Sequence, residues 1–344
     1  MRSQTQRALS PDEVADLVRH SLGSSCRVEN AAEMDGGGFA AVWRVDLDDG
    51  RAVVLKTSPP ATAELLTYER DLLAAEADYF RLAGRKATGV PVPEVLYYGA
   101  GQPGWEGDLL IMTLLPGTPL SWLHEHVPQA DDAPVRFQLG QAMARVHSVK
   151  GTEFGYVGVG RRGGRSWRTV FLAVIADLLA DAARLSSALP VEPRAIFQSF
   201  NAASAVLDDI RTPTLVHFDM WDGNVLAADD AGGFSGPLHL SGLVDGERHL
   251  YADPLVDFVS VDLFGTIETQ PEHPFVRGYG AELGRPLTWG ADEMTRIRLY
   301  RAWLYLVMTV EIPTRALSGD LYAEHRRFRA KILQDALAAL AARA

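Results

Sequence analysis

The stretch that decides the fold is a polar loop with apolar flanks, and it reads Leu215-Val216-His217-Phe218-Asp219-Met220-Trp221-Asp222-Gly223-Asn224-Val225-Leu226. The apolar pairs at its two ends are typical of short strands, so the polar residues lie in a loop between them. Asp219 can accept the proton of an attacking hydroxyl group. Asn224 offers an amide oxygen that can bind a divalent cation without adding negative charge. The pattern predicts phosphoryl transfer, and the alternative is a turn stabilised by Asp and Asn side chains.

A second carboxylate supports the first interpretation. Asp219 and Asn224 are five positions apart, which matches the catalytic loop of protein kinases. Asp245 follows Asn224 after about 20 residues, at the end of an apolar segment, where a kinase needs its second metal-binding carboxylate. Asn224 and Asp245 together can hold Mg²⁺, which prefers oxygen ligands. The alternative is that Asp245 only caps a turn.

The third signal is Lys56, which ends a strand-like segment near the N-terminus. An ammonium group in that position can contact the phosphates of ATP as a point charge. It needs a carboxylate partner on the following helix, and Glu69 and Glu76 share one helical face there. We predict that the partner is Glu76, because of its position in the helix relative to the break at Val90-Pro91-Val92-Pro93. Glu69 is the alternative.

Two further segments are candidates for nucleotide binding. Glycines 36–38 permit close approach of the backbone to phosphates, so Gly37 and Gly38 are predicted contacts, with a mobile turn as the alternative. The segment 108–115 can supply the edge that binds adenine. Backbone groups of Thr113 and Leu115 would pair with the base and Met112 would lie behind it; the alternative is a buried strand without a ligand.

Composition excludes several classes of protein. The chain of 344 residues has 44 acidic and 33 basic residues, a net charge of -11, which disfavours nucleic acid and anionic membranes as partners. Cys26 is the single cysteine, so no intrachain disulfide forms and a reducing cytoplasm is expected. No run of about 18 apolar residues occurs, so no membrane span is expected.

Hydrophobic periodicity predicts an α+β fold with two lobes. A small β-rich N-lobe, residues 1–115, would precede a larger, mostly helical C-lobe, residues 116–344. Predicted N-lobe elements are strands at 39–47, 51–56, 95–98 and 108–112 and helices at 11–22 and 62–84. Predicted C-lobe helices are 134–148, 167–187, 192–210, 254–268, 291–311 and 319–343, with a β-rich patch at 214–251. Trp303 is predicted to lie in the core.

Taken together, these motifs resemble the aminoglycoside phosphotransferase, choline kinase and fructosamine kinase group, which has a protein-kinase-like fold. The resemblance runs from about residue 30 to about residue 310. Besides the loop and Val244-Asp245, the segments that carry it are Gly89-Val90-Pro91-Val92-Pro93, Leu139-Gly140 through Val146-His147, and Ala252-Asp253-Pro254-Leu255-Val256-Asp257.

The resemblance implies a role for each motif residue. Asp219 would be the catalytic base, Asn224 and Asp245 would bind magnesium, and Lys56 would contact the α- and β-phosphates of ATP. His217 would be a scaffold residue of the loop rather than an acid or base. The two aspartates of the last segment, Asp253 and Asp257, would brace the catalytic segment.

The acceptor is left open by the sequence. Trp221-Asp222 and Thr113 depart from the family pattern at positions that many members fill with His-Pro and with a hinge acid. Carboxylates predicted as candidates for acceptor binding are Asp222, Glu247, Asp262, Glu268 and Glu311. If several of them face the cleft, a cationic acceptor such as an aminoglycoside or amino sugar is favoured.

The sequence also leaves other functions open. A neutral sugar, an amino alcohol or a macrolide is the alternative acceptor. A catalytically silent binding module with the same fold is the alternative from another class. A protein kinase is disfavoured, because Asp253-Pro254 follows Asp245 too closely for a peptide-docking loop. The chain is expected to be a monomer or a homodimer.

Overall fold

An antiparallel sheet near the N-terminus is followed by a largely helical region, which confirms the predicted α+β class. The computed structural model describes residues 3–34, 39–100, 105–158, 162–230, 232–234, 236–315 and 319–341. Gly37 and Gly38 therefore lie outside the described residues. No helix within these ranges is long and apolar enough to cross a lipid bilayer.

The first five strands form one antiparallel sheet in the order β1-β2-β3-β5-β4. They are β1 (Val28–Glu33), β2 (Ala41–Leu47), β3 (Ala52–Thr57), β4 (Val95–Ala100) and β5 (Asp108–Thr113). Along β2 the buried residues alternate with more exposed ones, as expected when one face of a sheet covers a core. Lys56 lies on β3 opposite Val42 of β2 and Leu110 of β5, in the middle of the sheet.

Seven short strands follow and form two small sheets. They are β6 (Thr118–Pro119), β7 (Phe154–Tyr156), β8 (Gly163–Gly164), β9 (Thr214–Val216), β10 (Val225–Ala228), β11 (His239–Leu243) and β12 (Leu250–Ala252). One sheet has the order β11-β10-β6 and the other β8-β7-β12-β9. The loop 217–224 joins β9 in one sheet to β10 in the other, so both sheets fix its ends.

Ten α-helices complete the fold of the described residues. They are α1 (Pro11–Leu22), α2 (Leu72–Lys86), α3 (Leu120–His126), α4 (Ala133–Val146), α5 (Trp167–Arg184), α6 (Pro193–Ala203), α7 (Leu255–Val261), α8 (Pro274–Glu282), α9 (Ala291–Val310) and α10 (Gly319–Ala341). Helix α1 begins with a capping box, in which Ser10 Oγ accepts from Glu13 N–H and Glu13 Oε2 accepts from Ser10 N–H.

The predicted helix 62–84 was wrong in its first part. Helix α2 begins only at Leu72, after a short 3₁₀ turn at Thr67–Glu69. Thr67 donates its N–H to Asp181 Oδ2 on α5 at 2.6 Å, and Arg184 of α5 donates to the carbonyl of Leu65 at 2.6 Å. These bonds to α5 occupy backbone groups that would otherwise form the hydrogen bonds of an extended α2. The segment before α2 therefore packs against α5 and does not become helical.

Other boundaries also differ from the predictions. The helix predicted at 254–268 ends at Val261, and strand β1 and helices α3 and α8 were not predicted. Glycines in α8 lowered its helical signal, but they serve close packing against α4. A Cβ added to Gly278 would lie 1.9 Å from the Phe137 carbonyl oxygen, and one added to Gly140 would lie 2.1 Å from that of Phe275.

Aromatic side chains fill the core of the helical region. Trp303 is fully buried, as predicted, and its ring stacks on Phe218 with ring centroids 4.1 Å apart. Trp167 donates its indole N–H to the hydroxyl of Tyr300 at 2.9 Å. Helix α9 thereby packs directly beneath the loop 217–224.

Candidate active site

The loop 217–224 is anchored by one fully buried carboxylate, Asp257 of α7. Its two oxygens accept the backbone N–H groups of His217 at 2.9 Å and Phe218 at 2.6 Å, and His147 Nε2 lies 2.9 Å away. Phe218 has a φ of 64°, which a residue other than glycine adopts only when its surroundings hold it there. Asp257 therefore fixes the backbone that presents Asp219.

His217 joins the loop to the segment that carries Asp245. Its Nδ1 accepts the Asp219 N–H at 3.3 Å, so Nε2 carries the proton and donates to the Val244 carbonyl at 3.0 Å. Burial lowers the pKa of His217, which favours this neutral form. The ring is thus bonded on both sides and serves as a scaffold.

Asn224 closes the loop from its other end. Its Nδ2 donates to the Asp219 carbonyl at 2.7 Å, and its own carbonyl accepts from Val244 N–H at 3.1 Å. The amide nitrogen of Asn224 is therefore committed to the backbone of the loop, and its amide oxygen is not the atom that makes this bond. Burial raises the pKa of Asp219, while Arg248 and His217 act to lower it.

Lys56 connects the N-terminal sheet to this region. Its ammonium donates to Glu76 Oε1 of α2 at 2.6 Å and to Asp245 Oδ1 at 2.5 Å. Burial opposes the charge, but Asp245 and Glu76 raise the pKa of Lys56, so it stays an ammonium. Of the two carboxylates considered from the sequence, the structure thus pairs Glu76 with Lys56, whereas Glu69 pairs with Arg315 at 2.6 Å.

Three carboxylates meet beside Lys56. Oxygen atoms of Glu76, Asp245 and Glu247 all lie within 4.8 Å of one another. Burial raises the pKa of Glu76 to about 7 and that of Glu247 to about 8. Although burial opposes it, Lys56 lowers the pKa of Asp245. Glu247 Oε2 is buried without a hydrogen-bond partner among the described residues, so the cluster holds more carboxyl groups than Lys56 alone can pair with.

The C-terminal end of β5 lies in the same sheet as Lys56, on the neighbouring strand. Met112 is buried, and Thr113 both donates its N–H to the Glu94 carbonyl and accepts the Glu94 N–H on its hydroxyl. The N–H of Thr113 is therefore already bonded to the backbone of Glu94. Leu115 lies against Gly242, where an added Cβ would be 2.8 Å from the Leu115 side chain.

The carboxylates considered for the acceptor are mostly paired with cations. Asp222 lies 3.0 Å from Arg136, and Glu268 accepts two bonds from Arg301. Asp262 lies against the backbone of Gly265, and one of its oxygens is buried without a hydrogen-bond partner among the described residues. Glu247 belongs to the cluster beside Lys56, as described above.

Glu311 is the remaining acid considered for the acceptor. It is buried, and it pairs with Arg248 at 2.9 Å and with Arg315 at 3.0 Å. Arg248 also lies 3.6 Å from the Asp219 carboxylate. Arg248 was not predicted from the sequence, although it follows Asp245 by three residues in the same turn.

The pairing of Glu311 predicts a pH-dependent contribution to stability. Burial opposes ionisation, but Arg248 and Arg315 lower the pKa of Glu311 from 4.5 to about 2. A lowered folded-state pKa gives stability that is present above 4.5 and lost as the pH falls toward 2. We expect the destabilisation caused by Glu311→Gln to be about 1 kcal/mol smaller near pH 3.5 than near pH 6.

Urea unfolding of both proteins at both pH values measures this difference. Glu282→Gln is the matched control, because Glu282 accepts two bonds from Arg145 in a more exposed pair. Its destabilisation should be small at either pH. A Glu311→Gln effect that is equal at both pH values would contradict the prediction.

A buried lysine–glutamate pair that faces an Asp-and-Asn loop, on a sheet followed by helices, is the arrangement of a kinase-like phosphotransferase for small molecules. Residues 32–300 match the family model described as the phosphotransferase enzyme family, APH. The chain belongs to this family. No curated protein matches the sequence.

Several solved structures share the fold. A candidate fructosamine-3-kinase from Thermobifida fusca YX-ER1 is 23% identical, with a TM-score of 0.64 over 95% of this chain and 100% of that one. A complex of a thermostable mutant of aminoglycoside phosphotransferase APH(4)-Ia with AMP-PNP and hygromycin B is 16% identical, with a TM-score of 0.62 over 95% and 98%. Macrolide 2'-phosphotransferase MphH from Brachybacterium faecium is 20% identical, with a TM-score of 0.54 over 94% and 98%.

Proposed function

We propose that this protein transfers the γ-phosphate of ATP to a hydroxyl group of a small polar acceptor. The observation that carries the proposal is the contact of Lys56 with both Glu76 and Asp245, residues that come from a strand, a helix and a distant turn. A buried ammonium held by two carboxylates costs desolvation energy, which a structural core would avoid. A site that binds a triphosphate with its cation has a use for all three groups.

Lys56 and the edge of β5 are the proposed contacts for the nucleotide. The Lys56 ammonium would bind the α- and β-phosphates, and Glu76 would hold it in place. The carbonyl of Thr113 and the N–H of Leu115 would pair with adenine, with Met112 behind the base. Gly37 and Gly38 are proposed to approach the phosphates.

Asn224 and Asp245 are the proposed ligands of Mg²⁺. The donor set fits this ion, since carboxylate and amide oxygens are the ligands it prefers. Glu247 is a further oxygen donor in our proposal, because its buried Oε2 has no hydrogen-bond partner among the described residues. When bound, the ion would draw negative charge from the phosphates and satisfy this excess of carboxylates.

Asp219 is the proposed catalytic base. Its carboxylate would accept a hydrogen bond from the acceptor hydroxyl and take the proton as the phosphate is transferred. His217 would hold the loop and take no part in proton transfer, since both of its ring nitrogens are already bonded. The reaction needs mainly positioning and charge neutralisation, which these fixed groups supply.

The pairing of the candidate acceptor acids with arginines favours a neutral acceptor over a polycation. Asp222, Glu268 and Glu311, three of the acids considered for an aminoglycoside or amino sugar, are paired with arginines. A carboxylate already neutralised by a guanidinium attracts an amine weakly. We therefore place a neutral sugar or macrolide-type alcohol first, and an aminoglycoside or amino sugar second.

A panel of acceptors tests the function and ranks these classes. ADP release from Mg·ATP would be measured with a neutral hexose, a macrolide, a fructosamine, an amino alcohol and hygromycin B. We expect stimulation of at least about tenfold by a neutral alcohol and little by hygromycin B. Stimulation by hygromycin B alone would overturn the ranking. Nucleotide binding without ADP release under any condition would support the catalytically silent binding module instead.

A further inference from the structure

Arg248 occupies the space between Asp219 and a buried carboxylate. Its Nε lies 3.6 Å from Asp219 Oδ2, its Nη1 lies 2.9 Å from Glu311 Oε1, and its guanidinium lies over the ring of Tyr68 at 5.6 Å. The side chain is only 15% exposed. A planar guanidinium has several donors in a fixed geometry, so it can contact two acids and an aromatic ring at once.

The charges continue beyond Glu311 with alternating sign. Glu311 Oε2 lies 3.0 Å from Arg315 Nη2, and the same nitrogen lies 2.6 Å from Glu69 Oε1. From Asp219 to Glu69 the order is acid, arginine, acid, arginine, acid, and no member is more than 22% exposed. Each arginine is thus held between two carboxylates and has little freedom to move.

The Asp219 carboxylate needs such a partner. Its backbone is fixed through the N–H bonded to His217 and the carbonyl bonded to Asn224. These bonds do not fix the carboxylate, because the last torsion of an aspartate side chain is broad. Among the described residues, Arg248 is the cation that forms an ion pair with this carboxylate.

We propose that Arg248 is a positioning residue that orients the Asp219 carboxylate, and that Glu311 acts only by holding Arg248. The inference rests on the proposed role of Asp219 as base. It gives Glu311 a task other than the acceptor binding that the sequence suggested. It also links the rate of transfer to the segment that precedes α2, since Glu69 is the last acid of the series and Tyr68 donates its hydroxyl to Glu311.

Turnover of a double-mutant set tests the proposal. Arg248→Met, Arg248→Lys, Glu311→Gln and the Arg248→Met/Glu311→Gln pair would be assayed with Mg·ATP, using the best acceptor of the panel and also water alone. We expect Arg248→Met to lower kcat at least about tenfold, with the Kd for ATP within about twofold of wild type. Arg248→Lys should recover part of the loss. The double variant should be no slower than Arg248→Met, because Glu311 acts through Arg248.

Arg145 and Glu282 provide the matched control. Their bidentate pair joins α4 to α8. Arg145→Met and Glu282→Gln should leave kcat within about twofold of wild type, singly and together. Thermal unfolding of every variant separates a positioning effect from a loss of structure. If Arg248→Met does not fold, Arg248→Lys carries the test through its kcat at unchanged Kd for ATP.

Three outcomes would overturn the proposal. A wild-type kcat for Arg248→Met would remove the positioning role. If Arg248→Met does not fold, a wild-type kcat for Arg248→Lys would have the same meaning. Losses that add in the double variant would show that Glu311 acts on its own. A loss of ATP affinity equal to the loss of kcat would make Arg248 a binding or structural residue. Failure of the proposed function is separate: Asp219→Asn would then be fully active, or wild type would turn over no Mg·ATP at all.

Discussion

Asp219→Asn is expected to retain ATP binding and to lose phosphate transfer by a factor on the order of 10²–10⁴. The amide keeps the size of the carboxylate, and the loop is held by backbone bonds to Asp257 and Asn224 that the change does not touch. An amide cannot take a proton from a hydroxyl at neutral pH. The loss should therefore appear in kcat, with the Kd for ATP nearly unchanged.

Single-turnover transfer and calorimetric titration with ATP measure the two quantities separately. Asp209→Asn is the control, because Asp209 is an exposed aspartate outside the site. Its kcat should equal that of wild type. Full activity of Asp219→Asn would remove the base from our mechanism, and a loss of ATP binding would mean that the loop had been disturbed.

Asp257→Ala is expected to lower the free energy of unfolding by on the order of 3–5 kcal/mol. The substitution removes the acceptor of two backbone N–H groups, at His217 and Phe218, and the partner of His147 in a site closed to water. Phe218 would also lose the bond that holds its left-handed backbone. Phosphate transfer should fall together with stability, because the same backbone presents Asp219.

Urea unfolding of Asp257→Ala and Asp257→Asn separates charge from hydrogen bonding. The amide keeps one acceptor oxygen, so Asp257→Asn should be destabilised by less than Asp257→Ala. The exposed Asp209 provides the control here as well, in this case as Asp209→Ala, which should change stability by about 0.5 kcal/mol or less. A loss below about 1 kcal/mol for Asp257→Ala would contradict the assigned anchoring role.

Asp219 and Asp257 have different tasks in the proposed mechanism. The side chain of Asp219, within the loop, is 22% exposed, as its proposed role as base requires. Asp257 is fully buried, and its oxygens are committed to the backbone that carries Asp219. We expect a mutation at either position to lower the rate of transfer, and only a mutation of Asp257 also to lower the free energy of unfolding by about 3–5 kcal/mol.

The sequence by itself determined the loop with Asp219 and Asn224, the strand that carries Lys56, and most helices. These features depend on residues a few positions apart, such as the five-residue spacing in the loop and the alternating burial along β2. Local periodicity and turn chemistry specify such features because the relevant interactions are also local. The family resemblance implied Asp257 as a brace, and its bonds to the loop agree with that role.

Only the tertiary structure decided between Glu69 and Glu76. Both share a helical phase in the sequence, but the chain before α2 does not coil, because Asp181 and Arg184 of α5 bind its backbone. Glu69 forms an ion pair with Arg315, and Glu76 forms the ion pair with Lys56. The contact from Thr67 to Asp181 spans 114 positions, and that from Glu69 to Arg315 spans 246.

The same reason explains the contacts around Asp219 that the sequence did not predict. Glu311 suggested an acceptor site because a lone acid in a helical pattern gives no sign of its partner. Arg315 follows Glu311 by four residues, but the pairing of Glu311 with Arg248 depends on two distant segments meeting in space. Side-chain partners far apart in the sequence leave no periodic signal, so only packing of the complete fold determines which charges are free and which are neutralised.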